Sequence, residues 1–198
     1  MQTDIESSVD TVTISKPGQR KWVYDLLLLI ILVLGAYFRM VGTNWDDNQH
    51  LHPDERFFTW VASDITFDQN WSDYFNTDVS TLNPNNRGHG FYVYGTLPLF
   101  IIRYAAEITG QTGYDQIQLV GRPLSAVADL LTVWMVYLIA SRLYNRKAGL
   151  FASAFYSFAV LPIQLSHFAT VDTFTNFFSF LTFYIAVILL TNGSRAVL

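Results

Sequence analysis

The chain has 198 residues, of which 51% are hydrophobic and only 14% are charged, whereas soluble domains usually carry about 25% charged residues. Its apolar residues form long blocks that need lipid to cover them, so we expect an integral membrane protein rather than a soluble domain. A net charge of −4 without a basic block argues against nucleic acid as a partner. The absence of cysteine excludes a disulfide framework and thiolate metal sites.

The first apolar run, residues 22–40, predicts a transmembrane helix, because a span needs about 20 apolar residues and the stretch from Leu26 to Phe38 carries no charge. A cleaved signal peptide is the alternative, but no small-residue cleavage site follows and Arg39 comes directly after the apolar core, which favours an uncleaved anchor. Residues 1–21 predict a disordered, polar cytoplasmic tail. Its basic residues indicate a cytoplasmic N-terminus by the positive-inside rule: Lys16, Arg20 and Lys21.

Residues 41–120 form a long acidic loop that we expect outside the cytoplasm. A juxtamembrane helix is predicted near residues 53–65, since Pro53 suits a first helical position. Asp54 and Glu55 follow in the first turn, where the helix dipole favours negative charge. Two ionised carboxylates beside the membrane surface can accept a proton or hold a metal next to a phosphate. The competing interpretation is that both acids only start the helix.

All four histidines fall in the predicted outside regions, which fits a site on that face. His52 and His167 are our candidate substrate-binding residues. His50 and His52 lie beside several acids and form a candidate site for a divalent metal ion. A solvated polar loop is the competing interpretation, so we name no cofactor and leave a divalent metal ion open.

Residues 91–108 predict a second juxtamembrane helix. The segment contains Pro98, Arg103 and Glu107, and its uncharged part is too short to cross a membrane. If it crossed, the basic turn at residues 141–149 would lie outside, against the positive-inside rule. We therefore predict an interfacial or re-entrant helix, with Pro98 as a candidate break.

Three further spans are predicted, at residues 121–141, 148–166 and 172–191, so that the chain crosses the membrane four times in all. Residues 192–198 would form a second cytoplasmic end. Four spans are a thin bundle for so long a loop, and we expect the chain to be a truncated part of a larger protein. The expected fold class is an all-α, multi-pass helical bundle with a long extracytoplasmic loop that carries juxtamembrane helices.

Several charged residues lie at or within these spans. Arg39 and Arg122, at outer span ends, can each hold a lipid-linked phosphate by a bidentate contact, although we favour snorkelling to headgroups for Arg39. Asp129 lies about two turns inside the second span, where an acid usually faces a partner or cavity. Asp172 opens the fourth span as an acidic N-cap would, and the topology brings it to the same membrane face as Asp54.

Distinctive segments follow one another between about residues 23 and 190: Pro53-Asp54-Glu55-Arg56, GFYVYGTLPLFIIRYAAE, Gly121-Arg122-Pro123-Leu124-Ser125, SRLYNRKAGLFAS and Thr170-Val171-Asp172-Thr173-Phe174. This ordered set resembles the N-terminal part of a GT-C glycosyltransferase of the family 39-like group, the protein O-mannosyltransferases and bacterial aminoarabinose transferases. The chain departs from that group at Pro98, which stands alone where a Pro-Pro or Lys-Pro pair is usual.

The resemblance implies a hexosyl- or pentosyl-type glycosyltransferase in the cell membrane. It would move a sugar from a polyprenyl-phosphate carrier to a protein, lipid or glycan acceptor on the extracytoplasmic side, with inversion. It further implies that Asp54 is the catalytic base, that Glu55 orients it or helps to hold a metal, and that Asp172 is a second acid lining the site. Arg122 is implied as a residue for the carrier phosphate.

Two other functions compete with this interpretation. A multi-pass transporter would use Asp129 and other intramembrane groups as a pathway, and it would depend on Asp129 more than on Asp54. A non-catalytic, truncated membrane scaffold would keep its function when Asp54 and Asp172 are both neutralised.

Overall fold

The computed structural model describes residues 21–67 and 70–193, and within these ranges the chain is all helix and loop without a strand. The expected all-α membrane fold is confirmed. The predicted tail before residue 21 and residues 194–198 of the predicted cytoplasmic end lie outside the described residues. The helices are α1 Lys21–Met40, α2 Pro53–Asp64, α3 Trp71–Tyr74, α4 Thr96–Thr109, α5 Tyr114–Leu143, α6 Arg146–Ser157, α7 Val160–Leu165 and α8 Asp172–Gly193, with a 3-10 turn at Pro84–Arg87.

Within the described ranges, three helices are long and apolar enough to cross a membrane, namely Trp22–Met40 in α1, Tyr114–Leu143 in α5 and Asp172–Asn192 in α8. Residues 148–166, predicted as one span, instead form α6 and α7, which have 12 and 6 residues. The helix is interrupted at Phe158 because Pro162, four residues later, has no N–H to donate to the Phe158 carbonyl and its ring crowds that group. The number of crossings therefore stays a prediction.

Side-chain contacts define the direction of each long helix. Arg146 binds Asp25 at 2.7 Å, and Arg39 donates to the Ser157 carbonyl at 2.9 Å, so α1 and α6 run in the same direction. Arg39 also reaches Asp129 in α5, and the C-terminal end of α5 contacts that of α8 through Arg142 and Thr191. Helices α5 and α8 therefore run opposite to α1 and α6, and the loops at residues 41–113 and 166–171 share one end of the bundle.

Helix α4 lies at this loop end, packed against α2 and α5. With 14 residues it is about 21 Å long. The hydrocarbon core of a bilayer is about 30 Å thick, so the helix is too short to cross it. Arg103 is buried and donates to Glu107 and to the carbonyls of Ala62 and Ser63. The opposite face exposes apolar side chains, as expected of a helix on a membrane surface: Leu97, Tyr104 and Ile108.

Two details of the predicted juxtamembrane helix are wrong. It begins at Thr96 rather than at residue 91, and Pro98 lies in its first turn instead of breaking it. The first turn tolerates proline because its N–H groups have no intrahelical partner.

Inside the bundle, Arg39 and Asp129 form a buried ion pair, with 2.6 Å between Arg39 Nε and Asp129 Oδ2. The Tyr156 hydroxyl donates to the other Asp129 oxygen at 2.7 Å, and Asn176 donates to that hydroxyl at 2.5 Å. The network links α1, α5, α6 and α8. Snorkelling of Arg39 is therefore wrong, because its side chain has no exposed surface.

We expect replacement of either member of this pair to destabilise the protein strongly. Arg39→Leu or Asp129→Leu leaves one charge buried without its partner, which costs about 3–5 kcal/mol. The Arg39→Leu/Asp129→Leu double variant removes both charges and should recover most of that loss. Unfolding by SDS in mixed micelles measures all three variants, and a double variant as unstable as the sum of the singles would contradict the pairing.

Candidate active site

The N-terminus of α2 is capped by His52, whose Nδ1 accepts a hydrogen bond from the Glu55 N–H at 3.2 Å. The acceptor role of Nδ1 leaves the ring proton on Nε2. The imidazole also stacks on Phe168 with ring centroids 4.0 Å apart. His52 thus joins the start of α2 to the loop before α8, and its predicted role in substrate binding stays a prediction.

Glu55 and Arg122 form a bidentate ion pair that has no solvent-exposed surface. The two N–H···O distances, from Arg122 Nε and Nη2 to the Glu55 carboxylate, are both 2.8 Å. Glu55 also accepts from the Ala169 backbone N–H at 2.7 Å. One carboxylate therefore holds α2, α5 and the loop at residues 166–171 together.

The same guanidinium reaches the start of the long loop. Arg122 Nη1 donates to the Thr43 carbonyl at 2.7 Å and to Asp46 at 3.0 Å, and the Trp45 ring lies 5.5 Å from the guanidinium carbon. Burial opposes ionisation of Asp46, but the hydrogen bond and charge of Arg122 outweigh it and hold the pKa of Asp46 below its ordinary value. Arg122 is thus surrounded by protein, a geometry that favours a structural role over the predicted contact with a carrier phosphate.

Gly121 brings the loop before α8 directly onto α5. A Cβ at this position would lie 2.6 Å from the Ala169 Cβ, closer than two carbons can approach. The absence of a side chain here allows Ala169 to reach Glu55, and Asp172 follows three residues later at the start of α8.

Asp54 and Asp172 line the same small pocket, of about 30 Å³, together with Phe58, Tyr94, Thr170 and Val171. Both carboxylates are exposed. The Tyr94 hydroxyl donates to Asp54 Oδ1 at 3.1 Å, and the Thr170 hydroxyl donates to Asp172 Oδ2 at 2.8 Å. The structure therefore brings together two of the predicted site residues that are far apart in sequence.

Tyr94 was not among the predicted site residues, although its aromatic segment was singled out as a motif. Burial raises the pKa of the Tyr94 phenol, and the hydrogen bond and charge of Asp54 and the charge of Asp172 raise it further. The phenol therefore stays protonated across the physiological range and donates to Asp54.

Tyr94→Phe should lower the rate of sugar transfer about fivefold. The phenol donates to Asp54 Oδ1 at 3.1 Å, and a hydrogen bond of this kind contributes about 1 kcal/mol, so the variant holds the carboxylate less firmly in the pocket. Initial transfer rates of the wild type and the variant measure the loss. An unchanged rate would show that Tyr94 does not act through Asp54.

The remaining histidines lie apart from this pocket. His167 contacts the Ile163 carbonyl at 2.8 Å and the Val41 carbonyl at 2.9 Å, joining α7 to the end of α1. His50 stacks on Tyr114 and lies 3.1 Å from Asp115. His50 and His52 thus contact different partners, and no group of three metal-binding side chains occurs among residues 21–67 and 70–193. The predicted substrate-binding role of His167 stays a prediction.

A larger groove of about 700 Å³ runs along α2 from Pro53 to Asp64, and Asp54 does not line it. Arg56 and Trp60 line it and are exposed, and Tyr114 from α5 also lines it. Sequence reasoning missed this groove because it depends on the position of α5 beside α2.

A helical membrane protein with two exposed carboxylates in one pocket beside its spanning helices fits the class of membrane-embedded group-transfer enzymes. Residues 95–198 match the family described as dolichyl-phosphate-mannose-protein mannosyltransferase. The chain belongs to this family, as its resemblance to GT-C glycosyltransferases predicted. It is a membrane glycosyltransferase of the kind that uses a lipid-linked sugar donor. No curated protein and no solved structure matches the chain.

Proposed function

We propose that this protein transfers a hexosyl or pentosyl group from a polyprenyl-phosphate carrier to an acceptor hydroxyl on the extracytoplasmic side of the cell membrane. The observation that carries the proposal is the pocket shared by Asp54, Tyr94 and Asp172. Family membership supports the lipid-linked donor. The acceptor is a protein, a lipid or a glycan.

Asp54 acts as the general base. It is exposed, it lies in the first turn of α2, and its carboxylate accepts a hydrogen bond from the Tyr94 phenol. It takes the proton of the acceptor hydroxyl while that oxygen attacks the anomeric carbon of the donor. The bond from this carbon to the carrier phosphate breaks, and the phosphate leaves with the bonding electrons. Attack from the face opposite the phosphate inverts the anomeric centre.

Asp172 and Glu55 support this base in different ways. The Asp172 carboxylate lines the pocket and is held by Thr170, so it contacts the bound sugar or acceptor. Glu55 is buried against Arg122 and Ala169. It is a positioning residue that fixes the start of α2, and with it Asp54, relative to the loop before α8.

The contacts of Asp129 favour an enzyme over a transporter. This acid was the main support for an ion or substrate pathway, and it is paired with Arg39 inside the bundle. A non-catalytic scaffold is distinguished by its tolerance of neutral residues at both Asp54 and Asp172.

The proposed sidedness predicts a definite labelling pattern. The chain contains no cysteine, so single cysteines at Gln49, Asn85, Asp115 and Asn145, all exposed, report on sidedness without a background signal. A membrane-impermeant thiol reagent added outside should label the first three and leave position 145 unlabelled. If position 145 labels and position 115 does not, α4 crosses the membrane, the basic turn lies outside and the proposed topology is wrong.

A further inference from the structure

An apolar groove of about 580 Å³ lies between α1 and α6, at the end of the bundle opposite the Asp54 pocket. Its walls are mostly aliphatic, with Leu27 and Ile30 of α1 on one side and Leu150 and Ala154 of α6 on the other, and Phe151 also lines it. The groove opens on the outer surface of the bundle, where a bilayer supplies hydrocarbon rather than water. Its occupant must therefore be apolar along most of its length.

Contacts at both ends keep the two helices at a fixed separation. Farther along the helices, a Cβ on Gly35 would collide with the Ser157 hydroxyl, so α1 and α6 approach closely there. At the other end, Arg146 binds Asp25 at 2.7 Å. The groove between these contacts is thus part of the folded bundle and does not need a ligand to form.

The mouth of the groove carries a cation that has no partner among residues 21–67 and 70–193. Lys147 lines the groove and is exposed, and in the described part of the chain no hydrogen bond or ion pair engages its ammonium group. The other cations of this turn are engaged: Arg146 with Asp25, and Arg142 with Thr191 at 2.7 Å and with Asn192 at 2.6 Å. Of the three cations in this turn, Lys147 is thus the one available to a ligand among the described residues.

Aromatic side chains mark the same end of the bundle as a membrane interface. Trp22 is 58% exposed and Tyr144 is 78% exposed, and such residues gather at the headgroup level of a bilayer. From Tyr24 at the mouth to Ile31 the groove follows α1 for about 10 Å, roughly a third of the hydrocarbon core. The cation at the mouth therefore matches an anionic lipid headgroup at the interface, and the apolar groove that follows it matches a hydrocarbon chain.

We propose that this groove binds one acyl chain of an anionic phospholipid, whose phosphate is bound by Lys147. The site is separate from the Asp54 pocket, and its occupancy by a lipid does not require sugar transfer. The exclusion of the sugar carrier as occupant rests on the proposed function, in which the carrier phosphate must reach the Asp54 pocket at the opposite end of the helices.

The preference for an anionic headgroup can be tested by native mass spectrometry of the purified full chain, titrated with phosphatidylglycerol or with phosphatidylcholine. The wild type should bind phosphatidylglycerol about fivefold more tightly, as one lysine near an anionic headgroup predicts. Lys147→Gln should lose this preference. Arg142→Gln removes a cation from the same turn but outside the groove, and it should keep the preference. Equal binding of both lipids by the wild type, or a preference that survives in Lys147→Gln, overturns the proposal.

A second pair of variants tests the apolar part. Ala154→Trp fills the groove and should reduce the binding of both lipids, whereas Ala186→Trp adds the same side chain on an exposed position of α8 and should not. Undiminished phosphatidylglycerol binding by Ala154→Trp would show that the chain lies elsewhere. If the wild-type spectrum shows a dimer that carries no lipid, a second copy of the chain covers the groove, and the proposal is overturned.

Discussion

Asp54→Asn should abolish sugar transfer while the protein still folds and inserts. The asparagine amide keeps the shape of the side chain but cannot take the proton of the acceptor hydroxyl. General-base catalysis contributes about 10²–10⁴-fold to a rate, so we expect at least a hundredfold loss. The assay measures transfer from a polyprenyl-phosphate-linked sugar in proteoliposomes, with a nucleotide-linked sugar as the inactive donor for comparison.

A matched control is available in the same loop. Asp47 is exposed and adopts a positive φ of 48°, a backbone conformation that asparagine tolerates as well as aspartate. Asp47→Asn removes the same charge near the same membrane face and should leave transfer unchanged. Wild-type activity in Asp54→Asn would refute the role of Asp54 as the general base. Equal losses in both variants would indicate an effect of net charge alone.

Glu55→Gln is expected to destabilise the protein by about 3–5 kcal/mol, because it leaves the Arg122 guanidinium buried without its counter-charge. The side chains of both residues have no exposed surface. A glutamine also presents an NH₂ group where the carboxylate accepted hydrogen bonds, so at least one of the donors from Arg122 or Ala169 loses its acceptor. The free energy of unfolding in mixed SDS micelles measures the loss.

Asp25→Asn is the matched control for the loss of stability. Asp25 pairs with Arg146 at 2.7 Å, but the two side chains are 61% and 41% exposed, so its loss should cost about 1 kcal/mol or less. Glu55→Gln should also reduce transfer, since it releases the start of α2, whereas Asp54→Asn should keep wild-type stability. Wild-type stability in Glu55→Gln would mean that the buried pair does not hold α2 in place.

Local sequence patterns were sufficient to predict those helices whose formation depends on residues close together in the chain. The long apolar runs predicted the helices α1, α5 and α8, and Pro53 with its two acids predicted the start of α2. Counting crossings by the positive-inside rule also indicated that Asp54 and Asp172 lie at the same end of the bundle, where they line one pocket. These features follow from composition and order along the chain.

Pairings between distant residues were not predictable in this way. Arg122 carried the features of a phosphate ligand, yet it binds Glu55, which lies 67 positions away. Arg39 and Asp129 were treated separately, yet they form one pair across 90 positions. A charge near a membrane can reach a headgroup, a ligand or another helix, and only the helix packing decides which partner lies within hydrogen-bond distance.

The sequence by itself determined that this protein is a helical membrane protein and a member of a family of glycosyltransferases that use lipid-linked sugars. The length of the apolar runs, the distribution of charge and the order of the motifs are all properties of the chain. The tertiary structure decided which acids are available for chemistry. Glu55 follows Asp54 directly, but the turn of the helix aims Glu55 at Arg122 and leaves Asp54 exposed beside Tyr94. Adjacent carboxylates on a helix point about 100° apart, so their roles depend on what packs against each side.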